Sequence, residues 1–354
     1  MQPQLSITNM VERLVPIWQG VLQRPSVSID DDFFDLGGTR ALAEQLLAQI
    51  KELAAQEFPA VSIYHMNSPG TMASALLQTR EQRRFSPPVL MKAGRKGPPV
   101  FFSHGIASDL LECRELVQDI QTERPIYGIQ SRGIYGIEEP FRRVEDMAGY
   151  HLQAIRRTQS QGPYSLIGYS LGGLVMFEVA RMLLTEDERI DLLVLIDSYP
   201  YRTHLKPVQQ AELYFQRVIH RISKLWEFKT QESVAGIVAP TLLSELKNST
   251  TMNNRVMLAG LKGNLRLWFE REREDACTAL MSYKPRFYNG AIKFIRAGIP
   301  TQFPLNANAV WGCLAKQVEV ETLPGDHVRL LTTHFKSVAG TLSGCLAENT
   351  VRRS

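Results

Sequence analysis

Residues 163–184 constrain the fold of this chain more than any other stretch. PYSLIGYS is an apolar run of strand length, and LGGLVMFEVARMLL carries apolar residues at helical spacing. Between them stands Gly168-Tyr169-Ser170-Leu171-Gly172, a GxSxG sequence followed by Gly173. A strand that gives way to a helix within a residue or two must turn very sharply. Glycines allow the close backbone approach that such a turn needs, and the serine between them is thrown outward. GxSxG alone arises often by chance. Strand, GxSxG and helix in succession is a strong signal, and it makes Ser170 the candidate nucleophile.

The rest of 97–346 repeats the alternation. PVFFSHG (99–105), PIYGIQ (125–130), IDLLVLIDS (190–198), AIKFIRAG (291–298) and VEVETLPGDH (318–327) read as strands. DMAGYHLQAIRRTQ (146–159) has helical period. IDLLVLIDS is almost continuously apolar, as a strand buried on both faces should be. Strands alternating with helices predict an α/β fold with a parallel sheet covered on both sides. Residues 199–282 interrupt the alternation with amphipathic helical segments such as AELYFQRVIHRISKLWEF (211–228), and contain Trp226, Trp268 and Phe269.

A serine hydroxyl is a weak nucleophile until a base takes its proton and a third group orients the base. In sheets of this kind the chain order is Ser, acid, His. Of seven histidines, only His327 and His334 lie near the C-terminus. His327 sits in the turn Pro324-Gly325-Asp326-His327 after a strand, where a loop can present an imidazole at the sheet's edge. His334 falls in an expected closing helix and reads as structural, and His104 reads as support for the loop after the first strand. Asp197, ending its strand, is the expected acid; its rivals are Asp326 and the acids at 272–275. The oxyanion needs two backbone N–H donors. Leu171, directly after the serine, is expected to be one; Ile106, in the loop after the first strand, is expected to be the other, with Ala107 its neighbour.

Residues 1–79 differ in character. MVERLVPIWQGVL (10–22) places Met10, Leu14, Ile17, Trp18 and Val21 at helical spacing, and ALAEQLLAQIKELAAQ (41–56) does so with Leu42, Leu46, Leu47, Ile50 and Leu53. A third short helix is expected at 69–78, after Ser68-Pro69. Residues 1–79 carry a net charge of −4 and 80–96 a net +5, with the whole chain at +4. An acidic head, a basic linker (80–96), a near-neutral body (97–346) and a tail (347–354) are therefore expected.

At DDFFDLGGTRALAEQLL (31–47) and VSIYHMNSPGTMASAL (61–76) the head resembles the carrier domain of a nonribosomal peptide or polyketide synthase, a small all-α four-helix bundle. Phe33, Phe34, Asp35, Leu36, Gly37 and Gly38 match that family's pattern. The family continues with any residue and then a serine that bears the phosphopantetheine arm; Arg40 stands at that position. The arm is attached through a hydroxyl oxygen, which arginine lacks. Thr39 has a hydroxyl but lies one residue early, about 100° around a helix. The head is thus expected to carry no arm. A degenerate carrier kept as a docking module, an engineered replacement and a shifted register of the match are the three readings.

The body resembles the type I thioesterase domains of the same synthases, which are α/β-hydrolases with a helical lid. FFSHG, RPIYGIQSRG, EDMAGYHLQAIR, GPYSLIGYSLGG, LLVLIDS, SYKPRFYNGAIKFIRA and LPGDH carry the likeness. HGIAS stands where HPxGG is more usual. The resemblance implies Asp197 as the acid and a lid at about 199–282; Arg132 in RPIYGIQSRG reads as structural. The implied activity is release of an acyl or peptidyl chain from a phosphopantetheine carrier thioester, by hydrolysis, cyclisation or acyl transfer. A stand-alone serine ester hydrolase and a docking module are the alternatives.

Composition excludes other classes. Apolar residues make up 44% and charged residues 21%, the balance of a globular chain. Nothing approaches the roughly 18 consecutive apolar residues of a membrane span. The N-terminus shows no secretory pattern, and four scattered cysteines without a CxxC pair fit a reducing, cytoplasmic setting. The mild net charge argues against nucleic acid. No metal and no cofactor of the hydrolase are implied; the expected partners are a carrier protein or upstream synthase domains and a small acyl thioester.

Overall fold

A computed structural model describes residues 6–79, 82, 85, 87–106, 108–211, 263–299 and 306–351. The segment 211–228, with Trp226, falls almost wholly outside these, as does Ala107.

The head is built on α1 (Ile7–Leu22), α2 (Arg40–Ala54), a 3₁₀ turn (Ala60–Tyr64) and α3 (Pro69–Leu76). Each helix starts where its sequence offers a cap. Ser6 Oγ accepts the Asn9 amide, Thr39 Oγ1 accepts the Leu42 amide, and Ser68 with Thr71 closes a reciprocal capping box. The faces predicted from spacing turn inward. Leu14, Trp18, Leu46 and Ile50 are fully buried with Phe33 and Met72, whereas Ile17, Leu42 and Leu53 are half-buried at the margin of this core. Trp18 meets Phe33 edge-on, with ring centroids 5.6 Å apart. Burial of each such side chain contributes about 1.5–3 kcal/mol.

Among the described residues the body carries seven strands: β1 (Val89–Lys92), β2 (Val100–Ser103), β3 (Ile126–Ile129), β4 (Tyr164–Tyr169), β5 (Ile190–Ile196), β6 (Tyr288–Ala297) and β7 (Ala315–Leu323). Their order across the sheet is β1-β3-β2-β4-β5-β6-β7. All neighbours from β3 to β7 run parallel, and β1 pairs antiparallel with β3 at the edge. The period-2 alternation of a strand distributes side chains between two cores. Phe101, Leu166, Leu193 and Leu195 join α5 (Val144–Thr158) and α6 (Leu171–Thr185) on one face. Phe102, Ile167, Val194 and Ile196 join α4 (Arg114–Asp119) and α9 (Phe335–Val351) on the other. The other α-helices among the described residues are α7 (Gly263–Ser282) and α8 (Ala307–Trp311).

Three boundaries depart from the sequence reading. Residues 80–96, read as a linker, contain β1: Val89 and Met91 point into the core while Leu90 is exposed, an alternation four residues long that charge counting overlooks. The tail expected at 347–354 is helical as far as Val351, because α9 continues past residue 346. His334 stands immediately before α9 rather than inside it. Among the described residues no helix is long and apolar enough to cross a membrane.

Candidate active site

The sharp turn at 168–172 takes the form its glycines suggested. β4 ends at Tyr169, α6 begins at Leu171, and Ser170 between them has φ of +56°. A non-glycine residue in that region is strained by about 1–3 kcal/mol and persists only where its surroundings impose it. The Ser170 amide donates to the Ile196 carbonyl at 2.9 Å, which pins the turn to the neighbouring strand. Gly172 lies so close to the β2 end that a Cβ there would overlap the carbonyl oxygens of Ser103 and His104.

Three strand ends bring the predicted side chains together. Ser170 follows β4, Asp197 follows β5, and His327 sits in the loop after β7. His327 Nε2 lies 3.1 Å from Ser170 Oγ, and Nδ1 lies 2.8 Å from Asp197 Oδ2. Asp197, 2% exposed, accepts the Ala297 amide on Oδ1 at 3.1 Å, so its carboxylate is held from two sides. The His327 ring stacks on Tyr169 at 4.8 Å, and the Tyr169 hydroxyl donates to the His327 carbonyl at 2.9 Å. Sequence reasoning missed Tyr169 as the residue that seats the imidazole. Its place in the x position of GxSxG, always beside the nucleophile, was the available signal.

With Nδ1 protonated and donating to Asp197, Nε2 is the basic nitrogen that can take the Ser170 proton. The line can therefore deprotonate Ser170 as it attacks an electrophilic carbon. Leu171 is the first residue of α6, so its N–H has no partner within the helix. Ile106 lies, half-buried, in the loop that follows β2. A Cβ on Gly105 would come within 3.1 Å of Ser170 Cβ, which sets that loop directly against the serine.

The rival residues lie elsewhere. Asp326 Oδ1 caps the Arg329 amide at 2.9 Å. Asp275 pairs with Arg142 at 3.1 Å. Glu272, on α7, is 3% exposed and lines a small cavity of about 20 Å³ with His104, Gly105, Tyr150, Leu171 and Val175. Burial pushes its carboxyl up to about 8, and its Oε2 has no hydrogen-bond partner among the described residues. His104 is also buried. Its Nε2 accepts the Ser131 amide at 3.1 Å and lies 2.8 Å from Gln130 Nε2, while Nδ1 lies 2.8 Å from the Gly105 carbonyl. Those bonds tie the loop after β2 to the end of β3. His334 packs beside Gly325, and Arg132 lies over the Phe141 ring at 4.7 Å.

At the head, Arg40 opens α2 with Thr39 as its cap. Arg40 Nε donates to Glu44 at 3.0 Å, and Nη1 donates to Asp109 of the body at 2.8 Å. Thr39 Oγ1 is engaged by the Leu42 amide.

Comparison with known proteins adds independent findings. A family model described as a phosphopantetheine attachment site matches residues 12–76, and one described as a thioesterase domain matches 98–236. A dimodular nonribosomal peptide synthase of Bacillus subtilis (strain 168) is 31% identical over 299 residues, covering 82% of this chain. The chain spans only 12% of that relative's length. A four-domain nonribosomal peptide synthetase, crystallised in its holo form with AMP and glycine, shares the fold over 95% of this chain and 26% of its own, with TM-score 0.57 and 22% identity. The thioesterase domain NocB of the nocardicin cluster covers 71% of this chain and 95% of its own, with TM-score 0.51 and 18% identity.

Proposed function

The chain belongs to the carrier-plus-thioesterase didomains found in nonribosomal peptide and polyketide synthases, and from that premise we propose that it releases an acyl or peptidyl chain from a carrier thioester through an acyl-serine intermediate. The observation that carries this reading is the hydrogen-bonded line Ser170–His327–Asp197 at the ends of three strands.

The steps follow from that line. Ser170 Oγ attacks the thioester carbonyl carbon while His327 Nε2 takes its proton. The carbonyl oxygen becomes an oxyanion facing the N–H groups of Leu171 and Ile106, which are worth most while charge is present there. The C–S bond breaks, and the imidazolium returns its proton to the departing sulfur. Water, or a nucleophile within the acyl chain, then attacks the acyl-serine with His327 again as base, and Ser170 is regenerated. Asp197 holds Nδ1 protonated throughout and stabilises the imidazolium.

The head's own family implies a phosphopantetheine arm, and the residues here do not fit one. The attachment position holds a guanidinium engaged with two carboxylates, and the adjacent hydroxyl of Thr39 serves as a helix cap. We infer that this head is not loaded and that the thioester arrives on a separate carrier protein or upstream synthase domain.

Incubating the full chain with a phosphopantetheinyl transferase, and then with a panel of acyl thioesters, tests both parts by intact mass. The expected results are no arm on the chain, an acyl adduct on Ser170, and loss of adduct and turnover in Ser170→Ala with the fold retained. Turnover retained by Ser170→Ala would overturn the mechanism. Ester turnover far above thioester turnover would favour an ester hydrolase instead.

A further inference from the structure

Arg40 does more in this structure than occupy the place of a serine. Its Nη1 reaches across to Asp109, whose side chain is 4% exposed. The Asp109 oxygen that receives Arg40, Oδ1, also accepts the amides of Leu111 at 2.9 Å and Glu112 at 3.3 Å. Arg40 is therefore bonded to the atom that shapes the turn 109–112.

That turn continues the loop beside the nucleophile. The Leu110 amide donates to Gln130 Oε1 at 3.0 Å, and Gln130 Nε2 lies 2.8 Å from His104 Nε2. Both ends of the loop thus meet at Gln130, and its Gly105 abuts Ser170. Gln130, just after β3, thus holds both ends of the loop, and Arg40 of the head holds the end at Asp109 as well.

Apolar contacts hold the two parts together independently of this ion pair. Leu111 is buried among head residues, Val61 of the head is buried among body residues, and Arg114 lies over the Phe34 ring at 4.2 Å. His65 Nε2 lies 3.1 Å from the Tyr135 hydroxyl. Docking therefore does not require Arg40, which leaves its charge free for a local task.

We propose that Arg40 is a positioning residue for the reaction: its ion pair with Asp109 holds the loop that follows β2 in the geometry needed for the oxyanion, so the carrier-like head is a fixed structural part of the hydrolase. This rests on the reading of that loop as an oxyanion donor. A buried carboxylate deprived of its only cationic neighbour within ion-pair distance among the described residues moves toward water, and moves the turn with it.

The full chain and its Arg40→Ala, Arg40→Lys and Arg40→Gln variants would be compared by steady-state hydrolysis of an acyl N-acetylcysteamine thioester and by amide hydrogen exchange over 108–112. Arg40→Ala is expected to lower kcat about 10- to 100-fold, part of the loss seen when an oxyanion donor is removed outright. KM should stay within about twofold, since the loop acts on the transition state. Exchange over 108–112 should accelerate, and Arg40→Lys should restore most of both. Arg40→Gln serves the same comparison if the alanine variant does not fold. An unchanged kcat in a folded variant, a lost kcat with unchanged exchange, or no restoration by lysine would overturn the proposal. If the unaltered chain hydrolysed no thioester, the reading of the reaction would fall. The exchange comparison would still decide the loop: unchanged protection would overturn the role of Arg40, and lost protection would support it.

Discussion

Replacing Asp197 with asparagine tests the candidate acid with little disturbance to the fold. The backbone at Asp197 has φ of +45°, a region asparagine tolerates better than most residues, so the exchange introduces no strain. Asparagine also keeps one acceptor for the Ala297 amide. Its NH₂ group then faces His327 Nδ1, which can accept only when unprotonated. The ring proton moves to Nε2, and Nε2 can no longer receive the Ser170 proton across the 3.1 Å contact. Loss of that tautomer is expected to lower kcat by about 10³–10⁴, or roughly 4–5.5 kcal/mol at 1.36 kcal/mol per decade. Asp326→Asn is the matched control. That carboxylate accepts the Arg329 amide and pairs with the Arg329 guanidinium, so kcat should change by no more than about twofold, the scale of an ordinary surface substitution. Hydrolysis of an acyl thioester followed through its released thiol gives both numbers, and thermal unfolding checks that each variant folds. Asp197→Asn retaining more than roughly a tenth of kcat, or Asp326→Asn being the crippled variant, would refute the assignment.

Other expectations follow from packing and burial. Gly172→Ala forces a methyl group against the backbone oxygens of Ser103 and His104, which no side-chain rotation can relieve; denaturant unfolding should show a loss of about 2–3 kcal/mol. Gly149→Ala, in α5 with open space at its Cβ, should gain about 0.5–1 kcal/mol in the same assay. Burial raises the Glu272 carboxyl from 4.5 to about 8. Between those values the folded chain holds a proton that the unfolded chain has lost, so stability falls as pH rises, by at most about 1.4 kcal/mol per pH unit. Glu272→Gln should flatten that slope in unfolding curves measured from pH 5 to pH 8, and an unchanged slope would remove Glu272 as its source.

The strands and helices nearest the site were legible because their patterns are strong. IDLLVLIDS had to be buried on both faces, and LGGLVMFEVARMLL had to be a helix packed against it. Ser170, Asp197 and His327 could be named as candidates because each closes or follows such a strand, and strand ends on one sheet edge converge. β1 was not legible: its four residues sit in a basic stretch whose charge pattern describes only the outward side chains. His334 was displaced from its expected helix by one residue, since helix starts are fixed by local capping and turns that periodicity does not register. Tyr169 escaped notice because a tyrosine in a strand has many packing uses, and only the fold brings its ring against the imidazole.

The sequence by itself determined the alternation of strand and helix, the turn at Ser170 and the order in which candidate nucleophile, acid and base occur. These follow from local chemistry: apolar periodicity, the room that glycine leaves, and the absence of a hydroxyl on Arg40. The tertiary structure decided what Arg40 meets. Asp109 lies 69 residues away in sequence, and no local pattern pairs the two. The body buries that carboxylate, and the apolar contacts of Val61 and Leu111 bring the head's guanidinium to it. The sequence shows only a missing oxygen at residue 40; the fold turns that position into an ion pair beside the site.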